Sequence, residues 1–173
     1  MSVTETLQDA RQEFVVSRTF NAPRAQVWRA WTDADALARW WGPKGCTLRV
    51  IALDVRPGGI FHYAMEFGGA PAMFGRFVYR EVTAPEKLVF VTSFADAAGS
   101  VIRAPFSETW PLGVHNTLTL TETGDQTALT LRGGPVDPTD AEYEIFLGMF
   151  PSMQQGFAGT FEQLDSYLTQ ALA

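Results

Sequence analysis

Cysteine is almost missing from this chain: Cys46 is the only one in 173 residues, so no internal disulfide can form and no cysteine-based zinc site can be built. Basic charge is scarce as well. Lys and Arg total 13 against 19 Asp and Glu, a formal charge of −6, and only Lys44 and Lys87 are lysines. That balance lacks the clustered cations that neutralise nucleic-acid phosphates, so nucleic acid is not an expected partner. No apolar run reaches the roughly 18 residues of a spanning helix, and residues 1–11 (MSVTETLQDAR) are polar with no hydrophobic centre, unlike a secretory signal. The expected address is cytoplasmic, with no membrane partner. What the chain does have is 46% apolar and 13% aromatic residues, with 15 Gly and 10 Pro. This is a globular composition with an aromatic-heavy core and many turns, which excludes disorder, collagen and fibre. The length suits one domain over residues 14–173 behind a polar leader over 1–13.

Residues 14–20 (FVVSRTF) are β-branched and aromatic and stop at Asn21-Ala22-Pro23, which predicts a first strand. Pro23 suits the start of a helix carrying Val27, Trp28, Ala30 and Trp31. A second short helix follows Thr32-Asp33, carries Leu37, Trp40 and Trp41, and ends at Gly42-Pro43. The period then becomes two. Residues 47–55, 59–67, 73–82, 88–94, 114–123 and 127–132 read as six strands separated by Gly- and Pro-rich turns, and short connections favour an antiparallel meander. Residues 95–113 read as a long connection beside the sheet. From Pro138 the period is helical again, with Tyr143, Phe146, Leu147, Phe150, Met153, Phe157, Phe161, Leu164 and Leu168 forming one stripe. Pro151 splits this segment into a short helix and a long one over about 151–172.

These elements predict an α+β fold, a curved antiparallel sheet of about seven strands around a long C-terminal helix, with two short helices after the first strand. Space is left between sheet and helix wherever facing side chains do not interdigitate. Gly156 and Gly159 on the long helix point to close approach at its backbone, either of a ligand or simply of the sheet.

The pattern then resembles a known family. The runs Arg18-Thr19-Phe20-Asn21-Ala22-Pro23, Val27-Trp28-Arg29-Ala30-Trp31-Thr32, Trp40-Trp41-Gly42-Pro43 and Asp54-Val55-Arg56-Pro57-Gly58-Gly59 are similar to those of the SRPBCC (START-like) superfamily. The branch is the one resembling the activator of the 90-kDa heat-shock chaperone's ATPase, called homologue-1-like. Residues 75–81 (GRFVYRE), 85–90 (PEKLVF) and 127–131 (TALTL) fit the same family's strands. The resemblance implies a helix-grip fold with a hydrophobic cavity between sheet and long helix. It does not fix a function, since relatives include lipid and hormone binders, polyketide aromatases and cyclases, and chaperone partners.

Strand alternation separates inner from outer side chains. Phe61, Tyr63, Met65 and Phe67 form the apolar set of one strand and should point inward, leaving His62 facing solvent. In residues 114–123 the inner set is Asn116, Leu118 and Leu120, and His115 is outside. With both histidines on outer faces, neither a His-based acid–base system nor a His-based metal site is supported, and no cofactor is expected. A one-residue bulge would reverse either assignment. Phe77, Tyr79, Phe90 and Phe94 are inward by the same test, joined by Phe150, Met153 and Phe157 from the helix, while Trp40, Trp41 and Trp110 lie near turns and could form a rim. This aromatic set could stack a planar ligand or simply fill the core. Tyr63 and Tyr79 are the inward groups with a proton to move. Arg18 falls on the inner face and requires an acidic partner or a place at the cavity mouth.

Three functions are ranked on these grounds. Binding of a small hydrophobic or aromatic molecule comes first and needs a void of about 300 Å³. An enzyme resembling polyketide cyclases comes second, using Tyr63 or Tyr79 and Arg18. A chaperone-interacting stress protein comes last, carried by the branch name alone in a chain without the activators' additional N-terminal domain. A homodimer through an exposed strand or helix face is compatible with the pattern but not encoded in it.

Overall fold

The computed structural model describes residues 12–171, so the leader expected over 1–13 falls outside them apart from Gln12 and Glu13. Strand β1 (Phe14–Phe20) is followed by α1 (Arg24–Thr32) and α2 (Ala34–Trp40). Pro23 sits just ahead of α1 at φ −62°, where a missing N–H costs nothing. Asp33 ends α1 in an extended conformation and caps α2, its carboxylate accepting from the Ala36 N–H at 3.0 Å. Six strands follow: β2 (Thr47–Leu53), β3 (Ile60–Glu66), β4 (Met73–Thr83), β5 (Lys87–Ala95), β6 (Val114–Thr123) and β7 (Gln126–Pro135). The chain finishes with α3 (Asp140–Gly148) and α4 (Phe150–Ala171).

All seven strands lie in one antiparallel sheet in the order β1-β7-β6-β5-β4-β3-β2, so the expected meander is present and β1 returns to pair with β7. Strand ends differ from the sequence reading by one residue at several places and by two or more at two of them. β2 stops at Leu53 because the Asp54 N–H already turns to the Ile60 carbonyl, and β7 continues through Gly133 and Gly134, whose backbones pair with β6. Register shifts between Val50 and Ala52 and between Tyr79 and Glu81 bend the sheet. The break between α3 and α4 comes at Met149, and Pro151 occupies the first turn of α4, where its missing donor is harmless.

The curved sheet grips the C-terminal half of α4, whose Phe161, Leu164 and Leu168 are buried in one cluster with Phe20, Trp31, Leu37, Phe61, Phe77 and Phe90. Polar ties fix the same half to the turn after α2. Thr160 Oγ1 donates to the Gly42 carbonyl at 3.0 Å, and Gln163 Nε2 donates to the carbonyls of Gly42 at 2.8 Å and Trp40 at 3.2 Å. A smaller cluster of Phe14, Val114 and Phe146 lies under the N-terminal half, apart from the main core.

The turn between β2 and β3 needs its two glycines for different reasons. Gly58 has φ +84° with open space around a Cβ, while a Cβ at Gly59 would lie 2.0 Å from the Asp54 carbonyl oxygen. Gly58→Ala should therefore cost about 1–2 kcal/mol of left-handed strain. Gly59→Ala, which must move backbone, should cost about 1–3 kcal/mol at least. Urea denaturation of the two variants checks this, and a neutral Gly59→Ala would contradict the turn geometry.

Candidate functional site

The sheet and the N-terminal half of α4 do not close on each other, and a cavity of about 250 Å³ lies between them. Its floor is the inner face of the sheet: Tyr63 and Met65 of β3, Phe90, Thr92 and Phe94 of β5, Val114 and Asn116 of β6, and Leu131 of β7. Met153 and Phe157 of α4 and Phe146 of α3 form the roof, and Trp41, Phe14 and Trp110 form the sides. Two glycines of the floor allow close approaches. A Cβ at Gly75 would lie 2.5 Å from the Tyr63 ring, so the phenol lies directly over that residue, while a Cβ at Gly133 would lie 2.2 Å from the His115 carbonyl of β6.

A second opening of about 240 Å³ adjoins the first and shares Trp41, Tyr63, Met65, Met153 and Phe157 with it. It leads outward past Gly42, Pro43, Gly156 and Thr160. The inner cavity falls short of the roughly 300 Å³ expected of a small-molecule site, and the adjoining opening continues it toward the surface. The helix glycines divide in role. A Cβ at Gly156 would meet nothing within 4 Å, so this residue leaves the opening wide, whereas Gly159 is covered by the Lys44 stem at 3.6 Å. Lys44 itself pairs with Glu162.

Eight of the residues singled out from sequence line the cavity: Trp41, Tyr63, Met65, Phe90, Phe94, Trp110, Met153 and Phe157. Five do not. Phe61, Phe77 and Tyr79 are inward, as alternation requires, but fill the main core. Trp40 is no rim residue: it is buried at 1% exposure, packs edge-on to Trp31 at 4.8 Å and donates its indole N–H to the Ala30 carbonyl. Phe150 stands behind the wall, 5.4 Å from both Phe14 and Phe146. Alternation gives the side of a sheet; it does not say where along that side the helix is in contact.

His62 corrects the sequence reading. It does lie on the face opposite Phe61 and Tyr63, yet it is buried at 6% exposure, because the turn after β5 folds over it. Its Nε2 lies 3.1 Å from the Asp96 carbonyl, and Gly99 packs on the ring. His115 is exposed. Arg18 has its acidic partner, Asp165 of α4 at 3.6 Å, and sits 5.7 Å from the Phe20 ring centre.

Residues 96–113 also do more than run beside the sheet. Phe106 packs on Phe94 at 5.5 Å and on Trp110 at 5.9 Å, and Trp110 packs on Phe146 at 5.7 Å, so this connection closes one side of the cavity. Arg103 pins it down, with Nη1 donating to the Trp110 carbonyl at 3.1 Å and to Glu142 Oε2 at 2.6 Å. Glu142 is held in turn by a reciprocal cap with Thr139 at the start of α3. The Thr139 backbone N–H, then the Arg103 guanidinium, hold the Glu142 carboxyl below its ordinary value.

The titratable groups at the cavity are protonated at neutral pH. Burial pushes the Tyr63 hydroxyl up to about 12, only partly offset by a hydrogen bond from Trp41, and Cys46 nearby adds to the rise. Burial likewise raises the Cys46 thiol, which disfavours a reactive thiolate. Tyr79, outside the cavity, has a buried hydroxyl with no hydrogen-bond partner among the described residues, and burial raises its pKa too. Among the described residues no three His, Cys, Asp or Glu side chains cluster as a metal site would require, and no helix is long and apolar enough to cross a membrane.

Thr92, Ser93 and Asn116 are polar lining residues that the sequence reading did not select. The signal for Asn116 was available, since a lone amide shared a face with Leu118 and Leu120; a threonine at a strand position carries no such signal.

Comparison with known proteins places this geometry in a family. The model of the family described as Activator of Hsp90 ATPase homolog 1-like protein matches residues 21–169. No curated protein matches the chain. Among solved structures, a protein from Arthrobacter aurescens is 24% identical with a TM-score of 0.77, covering 91% of this chain and 86% of its own. Protein Ms6760 from Mycobacterium smegmatis is also 24% identical, with a TM-score of 0.73 and 90% of each chain covered. The AHSA1 protein of Silicibacter pomeroyi is 16% identical, with a TM-score of 0.70 over 92% of this chain and 99% of its own. At these identities the likeness is one of fold.

Two outcomes follow from the site. Gly75→Ala should drive the Tyr63 ring off β4 and into the cavity; a crystal structure of the variant with the Tyr63 ring unmoved would contradict the packing. Glu142 has a folded pKa below its ordinary 4.5, so its stabilisation is present above 4.5 and lost as pH falls through the lower folded value. In an acid titration followed by tryptophan emission, Glu142→Gln should remove that part of the transition, and superimposable wild-type and variant curves would refute it.

Proposed function

The chain belongs to the Activator of Hsp90 ATPase homolog 1-like family, and from that membership and the cavity together we propose that it binds a small hydrophobic or aromatic molecule between the sheet and the N-terminal half of α4. The observation that carries this reading is the cavity's lining. Aromatic and aliphatic side chains from the sheet, both C-terminal helices and the connection converge on one space, with a few polar atoms among them. Small-molecule sites have this character, a mostly apolar concavity with a small number of placed polar groups. An open path past Gly156 supports it, because a closed core has no use for a helix face left unfilled.

A cyclase-like enzyme has less behind it. Acid–base work needs a group poised near neutral pH, and Tyr63 keeps its proton far above that. The charged residue named for the task, Arg18, is engaged with Asp165 and does not line the cavity. A chaperone partner is carried by the family's name and has no geometric observation of its own.

Native mass spectrometry of the chain purified from its host, followed by denaturing extraction, should show a stoichiometric small-molecule adduct. Naphthalene added to the emptied protein should bind saturably, one per chain, and change the emission of Trp41. An empty native spectrum together with no saturable naphthalene binding would overturn the reading.

A further inference from the structure

Resting on the cavity reading above, we infer that the Asn116 side-chain carbonyl is the acceptor for a hydroxyl or N–H group on the bound molecule, and that the site selects an uncharged molecule carrying such a donor. Asn116 is 9% exposed and lies on the cavity floor. Its amide nitrogen donates to the Val114 carbonyl at 2.8 Å and to Thr92 Oγ1 at 3.2 Å. The first of these settles which end of the amide is nitrogen, since a carbonyl can only accept. Thr92 Oγ1 in turn donates to the Val114 carbonyl, at 3.4 Å, so its proton is spoken for.

Asn116 Oδ1 is left over. It receives no hydrogen bond from any described residue. It lies beside Gly133, where a Cβ would meet the His115 carbonyl at 2.2 Å and Oδ1 at 3.1 Å, and both Asn116 and Gly133 line the cavity. Oδ1 is not among the sealed, unpaired atoms of the core, so it keeps surface open to the cavity. Polar groups of largely buried residues are paired in the great majority of folded chains, and a donor on the ligand completes this one. The charge condition comes from the rest of the lining, which holds no Asp, Glu, Lys, Arg or His. A charged ligand would lose its water there without gaining a counter-charge. Tyr63 (protonated), Thr92 and Ser93 are the further polar side chains of the lining.

The test compares naphthol, methylnaphthalene and naphthoate, substituted at the same ring position, with naphthalene as reference. One hydrogen bond of ordinary strength corresponds to about tenfold in affinity. The ratio of the methylnaphthalene to the naphthol dissociation constant should therefore fall about tenfold from wild type to Asn116→Leu, with naphthoate the weakest ligand of wild type at neutral pH. Thr92→Val, which leaves Oδ1 in place, should keep most of the wild-type ratio. Should Asn116→Leu fail to fold, the wild-type Asn116 side-chain amide NMR signals decide: they should shift differently with naphthol than with methylnaphthalene. An unchanged ratio in Asn116→Leu, identical amide shifts with both ligands, or naphthoate binding as well as naphthol would overturn the inference and leave the cavity reading standing. If none of the four probes binds, the cavity reading falls and this one with it.

Discussion

A straight helix laid across a twisted, bent sheet can lie flush with it over only part of its length, and where α4 touches decides most of what this molecule is. At its C-terminal half Phe161, Leu164 and Leu168 enter the main core and Thr160 and Gln163 tie the helix to the Gly42 carbonyl. With that end fixed, the other end meets the sheet along β1, where Gln154 Nε2 donates to the Val15 carbonyl at 3.0 Å and Phe157 stacks on Phe14, and stands off the middle strands. Met153 and Phe157 then line a space over those strands, Phe157 with one side against Phe14, and Gly156 beside them adds nothing to fill it. The bulges in β2 and β4 act in the same sense, since they increase the curvature that the helix cannot follow.

A gap of this kind would fill with water or collapse unless its margins were built to hold. Three kinds of margin do so. The break between α3 and α4 lets Phe146 approach from another direction than Met153 and Phe157. Residues 96–113 cross the open end with Phe106 and Trp110, and a single ion pair, Arg103 with Glu142, binds that crossing to α3. The pair is unequal in exposure, 45% for the arginine side chain and 11% for the carboxylate, so much of its strength lies in Glu142 being held already by the helix cap. Finally, the sheet contributes glycines at two close approaches: Gly75 lets the Tyr63 ring lie down on β4, and Gly133 lets the His115 carbonyl of β6 come near β7.

Element types and order were legible in the sequence because each period change is marked by a Gly, Pro or Asx turn, as at Pro23, Asp33, Gly42-Pro43 and Pro57-Gly58. Sidedness was legible too: Phe61, Tyr63, Phe77 and Tyr79 all point inward. What could not be read was depth along the inner face. Tyr63 and Tyr79 have the same parity and the same chemistry, yet one lines the cavity and the other is sealed in the core, because the difference is set by where α4 leaves the sheet. His62 shows the complementary limit. Its side of the strand was given correctly, but its burial depends on a turn 34 residues further on, and no local pattern encodes that contact.

The tryptophan arrangement has an optical consequence. Trp31, Trp40 and Trp41 are packed with ring centres 4.8 to 5.6 Å apart, and of the three only Trp41 reaches the cavity. At such separations excitation passes among indoles before it is emitted, so the three behave as one chromophore with a single face toward the ligand space. Whatever enters that space and touches Trp41 is thereby reported by all three rings, two of which it never meets.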